Sequence, residues 1–141
     1  NKEDFLFGIR KSMKFLCANP DIVVDRGEVR QWCAGALAKM YTEMGGESLY
    51  FGKPHNAIYD LARMRLAELG TPIDSKKILA IGDGIGTDIK GANSQEIDSL
   101  FVTGGLAAKE TQTSYSPNPE ALEKYITKQK VQCTYSIGYL R

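Results

Sequence analysis

Cysteine and histidine are scarce in this sequence, which limits the metal sites and covalent frameworks it can build. Its 141 residues include one histidine and three cysteines, Cys17, Cys33 and Cys133. No two cysteines are spaced as C-x-x-C and their number is odd, so neither a zinc site nor a disulfide framework is expected. Thiols without such partners are typical of a reducing compartment, which predicts a cytoplasmic protein.

The sequence also lacks long apolar runs and an excess of either charge. No stretch of about 18 apolar residues occurs and the chain begins with polar and charged residues, so neither a membrane span nor a signal peptide is predicted. The net charge is +1, from 18 basic and 17 acidic residues. A nucleic-acid surface would need a clustered basic excess, and the pair Lys76-Lys77 is better interpreted as a solvated helix or loop end.

What the sequence does contain is an alternation of apolar strands and amphipathic helices. The spacing of apolar residues predicts helices over 29–44 and 56–69. Predicted strands lie at 48–51, 77–81, 99–102 and 131–135. The second of these is a continuous apolar run, which is typical of a strand buried on both faces. From residue 49 onward strands and helices alternate, which predicts an α/β fold with a parallel sheet covered by helices on both faces. Residues 111–119 are rich in Ser, Thr and Pro and should form an exposed loop.

Two carboxylates flank a glycine-rich loop directly after one predicted strand. Asp83 and Asp88 lie on either side of Gly84 and Gly86. Carboxylates at such a position are costly unless they meet a cation or hydrogen-bond donors, and Mg²⁺ takes one or two protein carboxylates together with water and phosphate oxygens. A plain turn in which Asp88 caps the next helix explains the same spacing. A dinucleotide-binding fingerprint does not, because Thr87 occupies the place of its third glycine.

A lysine held between a glycine and a proline follows another predicted strand. Lys53 lies in Gly52-Lys53-Pro54, just after the strand at 48–51. Open parallel sheets bind ligands at the carboxyl ends of their strands, where a lysine can neutralise a phosphate or a carboxylate. A solvated loop lysine is the alternative. Because both loops follow strands of the same predicted sheet, the sequence predicts that Lys53 and the two aspartates belong to one site.

Several segments, taken in order along the chain, resemble the motifs of one enzyme superfamily. They are Cys17-Ala18-Asn19-Pro20-Asp21, Gly52-Lys53-Pro54, Gly82-Asp83-x-x-x-Thr87-Asp88-Ile89-x-Gly91-Ala92 and Thr103-Gly104-Gly105. As an ordered set they resemble the haloacid dehalogenase (HAD)-like hydrolases. The closest resemblance is to subfamily IIA, the NagD-like phosphatases with a large C2-type cap. It runs from Phe15 to Gly105, which is most of the chain.

The resemblance implies the C-terminal portion of such an enzyme. Residues 1–48 would be the end of the α/β cap, and residues 49–141 would be the C-terminal part of a Rossmannoid core. The first motif of the family, D-x-D, supplies the nucleophile and the acid/base, and it does not occur in these 141 residues. The resemblance therefore implies that the nucleophile lies before residue 1, so that this chain alone is expected to be inactive.

The resemblance also implies roles for five side chains. Asp83 would bind Mg²⁺, and Asp88 would support the metal site directly or through water. Lys53 would hold the phosphoryl oxygens and the nucleophile in place. Asn19 and His55 are candidates for substrate contact. For Asn19 a role in the turn at the strand end is the alternative. For His55 the alternative is a solvent-facing position at a helix N-terminus.

The expected function is Mg²⁺-dependent hydrolysis of a small phosphorylated metabolite through an aspartyl-phosphate intermediate. A truncated, non-catalytic HAD-like protein that binds Mg²⁺ or a phosphate ligand is the alternative. A nucleotide-binding oxidoreductase is disfavoured by the incomplete glycine fingerprint. Neither nucleic acid nor membrane is an expected partner. The sheet edge left by a missing half leaves pairing with a second copy of the chain open.

Overall fold

The computed structural model describes residues 2–27, 29–70 and 73–140. The chain divides into two compact units, Asn1–Ile58 and Tyr59–Arg141. The helices are α1 (Lys2–Arg10), α2 (Ala34–Glu43), α3 (Asn56–Glu68), α4 (Lys90–Ser94) and α5 (Pro119–Gln129). The strands are β1 (Lys14–Cys17), β2 (Val23–Arg26), β3 (Val29–Trp32), β4 (Glu47–Tyr50), β5 (Leu79–Gly82), β6 (Asp98–Val102) and β7 (Tyr135–Ile137). None of the helices in these ranges combines the length and apolar composition that crossing a bilayer requires.

The first unit is built around a parallel strand pair and an aromatic cluster. β1 pairs with β4, and α2 packs on both strands. The rings of Phe5, Phe15 and Tyr41 meet with centroids 5.4 to 5.7 Å apart. The Tyr41 hydroxyl donates to the Met13 carbonyl oxygen at 2.6 Å. Since a buried phenol needs a partner for its hydroxyl, this bond lets Tyr41 anchor α2 to the segment that enters β1.

The predicted helix over 29–44 is wrong in its first turn. Val29–Trp32 instead forms an antiparallel hairpin with β2, in which Trp32 lies opposite Val23. The main chain explains the late start of α2, because the Cys33 and Gly35 N–H groups donate to the carbonyl oxygens of Ile22 and Asp21. These bonds hold the chain beside the hairpin until the helix begins.

The second unit contains a three-stranded parallel sheet in the order β5-β6-β7. Its central strand carries Phe101, which is fully buried with Ile89 and Ala107 in the core of the unit. The helix α5 begins with two strong signals, since Asn118 accepts the Ala121 N–H at 3.0 Å and Pro119 follows it. Parallel sheets with helices confirm the predicted α/β fold class.

The predicted sheet is wrong in two details. The strand expected at 48–51 is Glu47–Tyr50, and it pairs with β1 in the first unit. The run at 77–81 is not buried on both faces, because Leu79 and Ile81 are 45% and 52% exposed. Their strand, β5, lies at the edge of the sheet that the structure describes, so these apolar side chains lack part of the cover that the sequence led us to expect.

The strand predicted at 131–135 is also displaced, and β7 covers Tyr135–Ile137 instead. The preceding main chain bonds to side chains rather than to a strand. Gln132 exchanges two hydrogen bonds with the Asn93 amide, at 2.7 and 2.9 Å. The Thr134 N–H donates to Ser99 Oγ, and the Ser99 N–H donates to Thr134 Oγ1. These paired contacts take the place of main-chain hydrogen bonding between strands until β7 begins.

Candidate functional site

The predicted site residues fall in both units. Asp83 and Asp88 lie in the second unit, directly after β5. Asn19, Lys53 and His55 lie in the first unit. Each set is built by its own local structure.

Asp88 is held by a π-helical turn, Ile85–Ile89, that leads into α4. The Gly84 carbonyl oxygen accepts the N–H groups of Thr87, Asp88 and Ile89 at 2.8 to 3.3 Å. The Asp88 carboxylate turns back and accepts the Gly84 N–H through Oδ2 at 3.0 Å. The predicted alternative, an acid that caps a helix start, is consistent with this bond, because Asp88 lies in the first turn of the helical segment and accepts the N–H of its N-cap residue, Gly84. Single π turns of this kind are frequent at functional sites.

The neighbouring glycine explains how this buried carboxylate fits. Asp88 is only 9% exposed. A Cβ placed on Gly82, the last residue of β5, would overlap the Asp88 carboxyl group. The absence of a side chain at Gly82 is thus a steric requirement of the position that Asp88 occupies.

Asp83 is half-buried and bonds to a different loop. Its Oδ2 accepts the Leu106 N–H at 3.2 Å. Leu106 belongs to the segment that follows β6, so the carboxylate links two adjacent strand ends. A Cβ on Gly105 would overlap the Asp83 carboxylate, which means that the main chain approaches this side chain as closely as glycine allows.

A groove adjoins Asp83 at this end of the sheet. It encloses about 340 Å³. Its lining is formed by Ile81, Gly82, Asp83, Val102, Gly104, Gly105, Tyr139 and Leu140. The combination of an apolar wall and one carboxylate is typical of a small-molecule site.

The two carboxylates fit a hard cation. Both offer oxygen ligands, and one oxygen of each is already oriented by a main-chain N–H group. Mg²⁺ uses one or two protein carboxylates and completes its shell with water and substrate oxygens, so it does not need a third protein ligand. No group of three or more His, Cys, Asp or Glu side chains suited to a metal occurs among the described residues.

Lys53 follows β4 in a turn that the main chain fixes at both ends. The Phe51 N–H donates to the Cys17 carbonyl oxygen, and the His55 N–H donates to the Gly52 carbonyl oxygen, both at 3.0 Å. A Cβ on Gly52 would overlap the Pro20 ring. The Lys53 side chain itself is exposed. The main chain of the turn around Lys53 is therefore well defined.

His55 and Asn19 each have a structural contact. The His55 ring stacks on Tyr50, with centroids 4.7 Å apart and planes 10° apart. Asn19 Oδ1 accepts the Asp21 N–H at 3.1 Å, as expected for an Asn that closes its own turn. Burial raises the pKa of the neighbouring Cys17 thiol, which is 1% exposed. The substrate roles of His55 and Asn19 stay predictions.

The sequence analysis missed the groups that hold the carboxylates. The Leu106 N–H is a main-chain donor, so its role cannot be predicted from the residue type. Gly105 and Tyr50 were also missed as contacts of Asp83 and His55. The Thr103-Gly104-Gly105 segment was the one available signal, because it places a glycine pair after the next strand.

Known proteins resemble this chain in both sequence and fold. A family model described as HAD-hydrolase-like matches residues 50–128, which is more than half of the chain. The 5'-nucleotidase YutF of Bacillus subtilis is 30% identical over 112 residues, covering 79% of this chain and 42% of YutF.

Solved structures extend the likeness to nearly the whole chain. A haloacid dehalogenase-like hydrolase from Brucella suis 1330 superposes with a TM-score of 0.76 at 34% identity, over 99% of this chain and 49% of that protein. A p-nitrophenyl phosphatase from Archaeoglobus fulgidus has a TM-score of 0.70 at 19% identity, over 94% of this chain and 46% of that protein. At this identity the likeness supports the fold alone. This chain spans less than half the length of each of these relatives. Because the family model covers more than half of it, the chain belongs to the HAD-like hydrolases, and these relatives are consistent with subfamily IIA.

Proposed function

We propose that these 141 residues form the C-terminal part of a Mg²⁺-dependent phosphatase of small phosphorylated metabolites. In this proposal residues 1–48 complete the cap and residues 49–141 belong to the core. The curated relative is a 5'-nucleotidase, and phosphoric monoester hydrolysis is the chemistry we extend to this chain. Its cysteines are free, which favours the cytoplasm.

One observation carries the proposal, namely that two carboxylates are held on main-chain donors where β5 ends. Asp88 is buried, and Asp83 adjoins the groove. A buried carboxylate is costly unless the surroundings stabilise its charge. Main-chain donors at both residues meet part of that cost, and a cation would meet the rest.

The proposed roles follow from what each side chain offers. Asp83 and Asp88 would hold Mg²⁺, which would offset the charge of the transferring phosphoryl group. Lys53, exposed on a fixed turn, would bind phosphoryl oxygens as a point charge. His55 and Asn19 would contact the substrate, His55 with its ring plane set by Tyr50.

The nucleophile of the proposed aspartyl-phosphate route is not among these residues. No D-x-D pair occurs in the sequence, so the attacking aspartate would have to come from outside it. This feature favours a second candidate, in which the chain by itself binds Mg²⁺ or a phosphate ligand without catalysis. We accordingly expect the 141-residue chain alone to show no phosphatase activity.

The test is p-nitrophenyl phosphate turnover by the protein as its natural source produces it, with Mg²⁺ and with a chelator. We expect turnover that requires Mg²⁺ and that falls by roughly 100-fold or more in Asp83→Asn, as when one electrostatic group of an active site is removed. Turnover that is independent of the metal would contradict the roles of Asp83 and Asp88. Complete inactivity of that protein would instead favour the binding function.

The matched control is Asp60→Asn. Asp60 is exposed on α3, where it lies 4.0 Å from Arg63 in a surface ion pair. Such pairs contribute little to stability. This variant should retain full turnover, so an equal loss in both variants would show that the Asp83 result reports general damage.

A further inference from the structure

Three buried or half-buried threonines lie beside the loop that bonds to Asp83. Thr103 and Thr111 are fully buried, and Thr113 is half-buried. The sequence led us to expect an exposed loop over 111–119, which is wrong for Thr111. None of these hydroxyl groups has a part in the function proposed above.

The hydroxyl groups form one connected set. Thr113 Oγ1 donates to Thr103 Oγ1 at 2.9 Å and lies 2.8 Å from Thr111 Oγ1. Thr111 Oγ1 donates to the Ala107 carbonyl oxygen at 2.7 Å. Thr103 Oγ1 donates to the Ile137 carbonyl oxygen at 3.2 Å, at the end of β7. Each hydroxyl has one proton, so with these donations Thr113 hydrogen-bonds to Thr103 and only adjoins Thr111. Thr111 Oγ1 also lies 3.5 Å from the Thr103 carbonyl oxygen, which joins these two residues directly.

This set closes the base of the loop that carries Leu106. Thr103 begins the loop at the end of β6, and Thr111 and Thr113 lie at its other end. Between them the Ala108 N–H donates to the Gly105 carbonyl oxygen, and Ala107 is buried in the core. Joining the two ends removes conformational freedom from the residues between them.

The loop is also the partner of Asp83. The Leu106 N–H donates to Asp83 Oδ2, and the main chain at Gly105 leaves no room for a Cβ against that carboxylate. A small movement of the loop would therefore displace the donor. Groups behind a ligand commonly set its orientation in this way.

We propose that Thr103, Thr111 and Thr113 are positioning residues, which fix the loop after β6 so that the Leu106 N–H orients the Asp83 carboxylate. The consequence for metal binding rests on the proposed function, because it requires Asp83 to be a ligand. The orientation of Asp83 by the loop does not require it.

The test uses the 141-residue chain and reads the contact without any metal. Hydrogen exchange of the Leu106 amide, followed by NMR, should be about fivefold faster in Thr113→Val, which corresponds to weakening one hydrogen bond. Thr113→Ser, which keeps the hydroxyl, should restore the wild-type rate. Asp83→Asn gives the reference for a changed Leu106 acceptor. Thr127→Val, the same substitution at an exposed position of α5, is the control.

Mn²⁺ binding by the same chain, measured by EPR, provides the second reading. Thr113→Val should weaken it by about tenfold, as loss of an outer-shell partner does. If Thr113→Val does not fold, Thr113→Ala removes the hydroxyl without adding volume. If the Leu106 amide exchanges at the same rate in these variants as in Thr127→Val, the positioning role is overturned. If Leu106 exchanges faster in Thr113→Val than in the wild type, and the wild type binds no Mn²⁺, the positioning role is supported and the metal assignment is contradicted instead.

Discussion

The two loops that carry the predicted site residues differ in the contacts made by their charged side chains. After β5, Asp83 and Asp88 are each fixed through the side chain, because a main-chain N–H donates to each carboxylate. After β4, the hydrogen bonds fix the main chain around Lys53, and the lysine side chain is exposed.

The difference matches the role proposed for each kind of group. Metal ligands need a defined direction for each oxygen, since Mg²⁺ tolerates little departure from octahedral geometry. An ammonium group acts as a compact point charge on a flexible stem, so it needs a defined origin more than a defined orientation. The comparison therefore predicts that changes around the carboxylates affect structure and metal binding together, whereas a change at Lys53 affects turnover alone.

The largest expected effect is at Lys53. If the intact protein is the proposed phosphatase, Lys53→Met should lower its kcat/KM for p-nitrophenyl phosphate by roughly 100-fold, because a charge proposed to stabilise the transferring group is lost. Mn²⁺ binding by the 141-residue chain should not change. Lys11→Met, at another exposed lysine of the same unit, should leave turnover intact. A Lys53→Met variant that loses metal binding as well would break the distinction between the two loops.

The next effect compares two glycines on either side of Asp83. Gly82→Ala should destabilise the chain by about 1–3 kcal/mol, since the new Cβ would overlap Asp88. At Gly86 a Cβ meets nothing within 4 Å, and its φ is not left-handed. Gly86→Ala should therefore be neutral or stabilising by up to about 1 kcal/mol.

Urea unfolding of both alanine variants measures these differences directly. The two glycines lie four positions apart, Gly82 at the end of β5 and Gly86 in the π-helical turn, so the pair controls for the general effect of replacing glycine. Equal shifts of the unfolding midpoint would mean that Asp88 is not tightly enclosed.

A smaller effect is expected at the ring stack of the first unit. Tyr50→Leu should cost about 0.5–1.5 kcal/mol beyond its change in buried area, because the stacked contact with His55 is lost. Tyr50→Phe keeps the ring and should cost less. Thermal unfolding ranks the variants by stability. Identical losses of stability in Tyr50→Leu and Tyr50→Phe would show that the stacking does not contribute.

The elements that the sequence predicted well are those whose signals are local. The helix predicted at 56–69 is α3, and the strand predicted at 99–102 is β6. The predicted helix at 29–44 failed where the main chain of Cys33 bonds to Ile22, a contact with no local signal. Tertiary contacts of this kind override local propensity.

The candidate site divides in the same way. Asp83, Asp88 and Lys53 could be proposed from the sequence because carboxylates and lysines beside glycines carry their chemistry in the residue type. The Leu106 N–H could not, because every non-proline residue has that donor and only folding brings one to Asp83. Thr111 was wrongly predicted to be exposed, because the composition of residues 111–119 is typical of a solvated loop. Its burial depends on contacts with Ala107 and Thr103, which the local sequence does not indicate.

The smallest expected effect concerns Cys17, which lies at the end of β1 and bonds through Sγ to the Asn19 carbonyl oxygen at 3.2 Å. Burial raises the pKa of this thiol above its ordinary value. Below the ordinary pKa the thiol is protonated in both the folded and unfolded chain, so its contribution to stability is constant and complete. As the pH rises further the unfolded chain loses its proton first, and the contribution is lost as the pH passes through the folded-state pKa. The difference in unfolding free energy between the wild type and Cys17→Ala should therefore shrink with rising alkaline pH. A difference that stays constant across that range would show that the Cys17 environment does not favour the neutral thiol, and that the turn before Pro20 is more open to water than its 1% exposure indicates.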